Sequence, residues 1–212
     1  MNNKKTILVW DVPTRVFHWL LVTCFTGAWL TSESERLQMI HYAFGYSAVA
    51  LVLFRLVWGF IGTKYARFSQ FIKGPKEMIG HAKGLLGGHQ HIAPGHNPLG
   101  GIVMLGLMLV ILLIGLTGYW TVKEFLGDFM SEAHEAIASF ALGLVVIHIA
   151  AAVIMSLLQK ENLVRAMLSG KKNGLPEQAI QFPQYLIGIL LVLGWGYCFY
   201  LVFSGAIPSL TM

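Results

Sequence analysis

Four histidines fall inside stretches apolar enough to lie in a membrane: His18, His41, His134 and His148. An imidazole in such surroundings is costly unless it has a partner, and its neutral form is a common metal ligand. Their spacing sharpens the chemistry. His134 opens and His148 closes the segment HEAIASFALGLVVIH, fourteen residues apart. On a helix that interval is about 21 Å and almost four full turns, so both rings share one face at two depths. If alternate segments cross in opposite directions, His41 lies level with His134 and His18 level with His148. Two facing imidazoles are therefore expected at each of two levels.

A structural zinc needs four ligands, and no cysteine or carboxylate stands beside either pair. An iron already held by four porphyrin nitrogens needs only two axial ligands, which a facing pair supplies. Two haem b groups, bound non-covalently between helices, fit the pattern. CxxCH is absent, which excludes covalent haem attachment on this chain. Arg55 follows His41 by fourteen residues, hence shares its face at the depth of the His18/His148 pair. A cation there can hold a haem propionate, or else extend toward the headgroups. Gly45, one turn after His41, leaves room for a flat ring, although glycine also serves close helix packing. The glycine-rich connection with His81, His89, His91 and His96 shows no fixed ligand frame; His81, His89 and His91 read as loop residues or transient proton carriers near the cytoplasmic surface.

The elements that must position these residues are apolar helices. The chain has 212 residues, 56% hydrophobic and 12% charged, a balance that excludes an ordinary soluble domain. Five segments are long enough to span a bilayer: 12–31, 37–61, 98–120, 133–158 and 185–207. Trp29, Tyr119 and Trp120 lie at one set of ends, Trp10 and Trp58 at the other, as interfacial aromatics do. Of 15 basic residues, twelve fall in the N-terminal segment and in the connections after the second and fourth spans. Those regions are expected in the cytoplasm, with the C-terminus in the periplasm. The N-terminus, polar and then directly apolar, reads without a cleavable leader. The net charge of +5 resides in these connections and forms no nucleic-acid-binding stripe. The opposite face carries Glu33, Glu35, Glu124, Asp128, Glu132 and Glu135 against Arg36 and Lys123. This face reads as a solvated rim or a docking surface for a basic partner. Cys24 and Cys198 sit in apolar spans and read as packing thiols.

The segments WDVPTRVFHWLL, IHYAFGYSAVALVLFRLVWGFIG, GHNPLGG, HEAIASFALGLVVIH and ENLVRAMLSGKK together resemble the bacterial dihaem cytochrome b family. That family includes cytochrome b561 and the b-type cytochrome subunit of nickel–iron hydrogenases. The resemblance covers about residues 10–172. It implies a four-helix core with two bis-histidine haems b, matched here by His18, His41, His134 and His148. It also implies quinone chemistry on one side and a redox partner on the other. The segment 185–207 is additional to that core.

The fold expected is all-α: an integral membrane four-helix haem-binding bundle over 1–172, then a linker and fifth transmembrane helix over 173–212. The function expected is electron transfer in the bacterial cytoplasmic membrane, between the quinone pool and a periplasmic partner such as a c-type cytochrome. Oxidation or reduction of quinone would then be its catalytic step. A membrane anchor for a hydrogenase-like subunit is the alternative within redox biology. A histidine-relay proton or metal transporter is the alternative of another class, although such proteins favour broken helices and midplane carboxylates.

Overall fold

The computed structural model describes residues 5–72 and 98–206, with positions 74, 76, 77, 79, 80, 84 and 95 between them. His81, His89, His91 and His96 lie outside the described residues, as do Lys4, Lys73, Lys83 and Ile207. Helices dominate: α1 Val12–Thr31, α2 Gln38–Ile61, α3 Pro98–Val122, α4 Asp128–Gln159, the short α5 Leu163–Ser169, and α6 Tyr185–Phe203. Two short strands, β1 Lys5–Leu8 and β2 Lys171–Gly174, pair antiparallel with Lys5 opposite Gly174. The helices containing α2, α3, α4 and α6 are each long and apolar enough to cross a membrane. At 20 residues α1 is also long enough. It is less apolar, however, with four threonines, Arg15 and His18 among its residues.

Helix α1 starts where the sequence supplies a stop-and-start signal. The Asp11 side chain accepts the Thr14 N–H at 2.8 Å, and Pro13 lies in the first turn, where its missing N–H costs nothing. Helix α4 begins at Asp128, ahead of the apolar segment, because the acidic stretch from Asp128 to Glu135 continues the helix beyond its membrane-compatible part. Asp128 in its first turn also suits the helix dipole.

Two antiparallel hairpins, α1–α2 and α3–α4, form the bundle, and α2 makes the main link to α3. Helices α1 and α4 approach each other much less closely than the partners within each hairpin. Apolar surface gains little by leaving lipid for another helix, so close approach depends on small residues. Gly27 shows this, since the Phe44 ring of α2 lies where a Cβ on Gly27 would project. The buried core of the α1–α2 side includes Phe17, Cys24, Leu51, Val52, Met108 and Ile111.

Helix α6 packs on α1 and α2, on the flank away from α4. Its Trp195 Nε1 donates to Cys24 Sγ at 3.2 Å, and Phe199 meets the Phe44 ring edge-on at 5.1 Å. Both cysteines are free thiols.

One end of the bundle carries a cap. Strand β1 enters α1, β2 follows α5, and Val9 and Trp10 N–H groups donate to the Gly170 carbonyl at 2.8 and 3.0 Å. Ile7, Val9, Trp10, Tyr65, Ala166 and Ile180 form a second buried cluster beneath the strands. Lys172, almost wholly buried, pairs with Glu161 at 3.4 Å. The other end, called the far end below, carries the α1–α2 and α3–α4 turns and the end of α6 among the described residues. The α3–α4 turn holds Glu124, Leu126 and Gly127 at positive φ (53°, 60° and 56°) and exposes Phe125, Leu126 and Phe129.

Candidate functional site

Four half-buried imidazoles form two groups. At the far end His41 stands in the first turn of α2 and His134 in the second turn of α4. Their ring centroids are 6.2 Å apart with planes crossed at 78°. Backbone carbonyls hold both rings. His41 Nδ1 donates to Ala28 O at 2.8 Å, and His134 Nδ1 donates to Ile114 O at 3.0 Å. A carbonyl oxygen only accepts, so each Nδ1 carries a proton, and in the neutral ring, the form that ligates a metal, each Nε2 keeps its lone pair. The Thr117 hydroxyl lies 3.3 Å from His134 Nδ1. Gly118 makes room for the His134 ring, because a Cβ there would lie 2.9 Å from His134 Cε1.

Toward the capped end His18 stands on α1 and His148 on α4. The His18 ring meets the edge of Trp19 at 5.1 Å. Its Nδ1 is buried without a hydrogen-bond partner. On α2, Arg55 is fully buried. One of its Nη groups donates to Ala66 O at 2.9 Å, and its guanidinium lies 5.1 Å above the centre of the Phe68 ring. Nε and the other Nη have no partner. Arg55 therefore does not extend to the bilayer surface; it is a buried cation with two free donors. Gly45 faces open space: a Cβ at this position would meet nothing within 4 Å, so close helix packing is not its role.

Two imidazoles bonded to one metal at about 2 Å each set their centroids roughly 6 Å apart, the separation found at the far end. Among the described residues no group of three or more His, Cys, Asp or Glu could hold a metal ion. The chain thus offers ligands in pairs, a donor set suited to a metal that brings its other ligands with it. Unused donors on Arg55 and the open face at Gly45 suit a flat, anionic group.

Comparison with known proteins decides the family. Residues 9–170 match the family described as prokaryotic cytochrome b561. The chain belongs to this family. It is similar to the probable Ni/Fe-hydrogenase 1 B-type cytochrome subunit of Escherichia coli K12, at 25% identity over 58% of this chain and 63% of the relative. It therefore spans less than two thirds of that protein's length. A probable Ni/Fe-hydrogenase B-type cytochrome subunit of Rhizobium leguminosarum bv. viciae is 23% identical, over 80% of this chain and 90% of the relative. No solved structure shows significant similarity.

As a cytochrome b561 family member the chain is a multi-pass membrane protein that binds b-type haem and carries electrons. The paired histidines and their surroundings fit that group. The long helices run without internal breaks, and among the described residues positive φ angles occur only at helix ends and in turns. The midplane discontinuities on which the transporter reading depends are thus absent from the described helices.

Sequence reasoning missed one structural centre of this b561 bundle. Asp11 is almost wholly buried, and besides capping α1 its Oδ2 accepts from Trp58 Nε1 at 3.0 Å and Thr63 Oγ1 at 2.6 Å. It ties the start of α1 to the end of α2. The Asp-Val-Pro signature announces the helix cap, but nothing local announces partners some 50 residues away.

Proposed function

We propose that the protein holds two haem b groups, one ligated by His41 and His134 and the other by His18 and His148. The facing pair at 6.2 Å, each Nδ1 fixed by a carbonyl, carries this reading. Gly45 leaves space for the macrocycle, and the free donors of Arg55 receive a propionate. Bound haem supplies one-electron oxidation and reduction. The chain's own work is to orient the imidazoles, fix their tautomers and keep water from the site.

The capped end lies in the bacterial cytoplasm and the far end in the periplasm. Among the described residues the capped end carries Lys5, Arg15, Lys64, Arg67, Lys160, Arg165, Lys171 and Lys172, while the far end carries Arg36 and Lys123. The N-terminus is then cytoplasmic and the C-terminus periplasmic. Electrons pass between the membrane quinone pool and a redox partner at the periplasmic face. Two observations point to different partners. The names of the relatives favour a nickel–iron hydrogenase subunit. The exposed acidic rim around Phe125, Leu126 and Phe129 favours a basic c-type cytochrome.

Difference spectra of the purified protein test the cofactor: reduced minus oxidised, they should give a b-type α band that quinol or the partner can generate. A colourless, folded preparation would sink the proposal. Co-purification with an iron–sulfur subunit selects the hydrogenase partner. Salt-sensitive electron exchange with a basic c-type cytochrome selects the other.

A further inference from the structure

We propose that the Thr14 hydroxyl is a positioning group for the haem ligated by His18 and His148, donating to the same propionate that Arg55 receives. This rests on the reading that each histidine pair takes one haem. Thr14 precedes His18 by four residues on α1, so the two share a face one turn apart. Thr14 is 4% exposed, yet its Oγ1 has no hydrogen-bond partner. Other helical threonines of this chain donate to the carbonyl four residues back, as Thr23, Thr31, Thr117 and Thr121 do. Thr14 stands in the first turn of α1, and its hydroxyl takes no such acceptor.

Arg55 supplies further donors of the same kind, because its Nε and one Nη are buried without a partner. A single chain of hydrogen bonds joins it to Thr14. The bonded Nη of Arg55 donates to Ala66 O at 2.9 Å, and Ala66 N donates to Thr63 O at 3.0 Å. Thr63 Oγ1 donates to Asp11 Oδ2 at 2.6 Å, and Asp11 Oδ1 accepts from Thr14 N at 2.8 Å. Buried donors require an acceptor, and a guanidinium favours an anionic one. The carboxylates toward the capped end do not serve. Asp11 already accepts three hydrogen bonds, and Glu161 is held by Lys172 and by Asn173 N at 2.7 Å. Glu77 and Glu177 are exposed. The anion must come from outside the chain, and a haem ligated by His18 brings one in its propionate.

The test is haem release from the full-length, haem-loaded protein in detergent, with apomyoglobin capturing what is released. Thr14→Val keeps the shape of the side chain and removes the hydroxyl. It should speed the release of one haem of the two by about tenfold and leave the other unchanged. Thr14→Ser should restore most of the difference. Protein reconstituted with haem dimethyl ester, whose carboxylates are blocked, should release it equally fast from Thr14→Val and wild type. A threonine that served only the fold would alter the release of both porphyrins alike. If Thr14→Val fails to accumulate, Thr14→Ala makes the same comparison. Haem release unchanged by the variant, faster release of both haems, or the same acceleration with the ester would each overturn the inference while leaving two haems in place. Fewer than two haems in wild type would instead overturn the two-site reading beneath it.

Discussion

Replacing Asp11 by alanine removes three hydrogen bonds at one atom cluster, and its cost can be worked from the structure. Loss of the Thr14 N–H cap on α1 costs about 1 kcal/mol. The Trp58 indole N–H and the Thr63 hydroxyl then lose their acceptor in a buried setting, at about 1 kcal/mol or more each. The sum is about 3 kcal/mol, which lowers Tm by about 6–12 °C for a chain of this size. Asp11→Asn should behave differently. It keeps one oxygen for the cap, and the Thr63 hydroxyl can rotate to accept from the new amide. Its loss should be about 1 kcal/mol, or about 2–4 °C. Thermal unfolding in detergent, followed by tryptophan fluorescence, measures both variants. Equal losses for alanine and asparagine, or no loss for alanine, would refute the claim that this carboxylate joins α1 to α2.

Other perturbations test other parts of the structure. Gly118→Ala places a Cβ 2.9 Å from His134 Cε1, so it should convert the far-end site to a high-spin spectrum while leaving the other site unchanged. Glu161→Ala strands the buried Lys172 ammonium and should cost about 3 kcal/mol, whereas Glu161→Met with Lys172→Met should recover most of that in thermal unfolding. Burial raises the pKa of Tyr65, whose hydroxyl donates to Gln178 O at 2.8 Å. The neutral form is favoured in the folded state, so its stabilisation is full below the ordinary value near 10 and is lost as pH rises through the raised one. Tyr65→Phe should therefore remove part of the alkaline loss of Tm without changing the acid side.

Long apolar stretches made the five long helices legible, and helix direction made the two levels of histidine legible. His41 and His134 met because the chain crosses along α2 and returns along α3, so that α2 and α4 both start from the same end. Arg55 was visible as a cation at the depth of His18, but its burial under Phe68 and its bond to Ala66 O were not. Nor were the acceptors for His41 and His134, because backbone carbonyls leave no trace in residue type. Strands β1 and β2 escaped because KTIL and KKNG are short, lie far apart in sequence and lack an apolar alternation that pairs them. Helix α4 began early because its first turns are polar and helical at once, which hydropathy alone does not register. Helix α6 was legible as a span, whereas its seat on α1 and α2 depended on contacts such as Trp195 with Cys24.

Haem content in paired histidine variants tests the central claim most directly. If His41 clamps with His134 and His18 with His148, the two losses depend on pairing as well as number. The double variant His41→Ala/His134→Ala should retain one haem per chain, as should His18→Ala/His148→Ala. The crossed double variant His18→Ala/His134→Ala should retain none. One haem surviving in the crossed variant, or none in either matched one, would contradict the account.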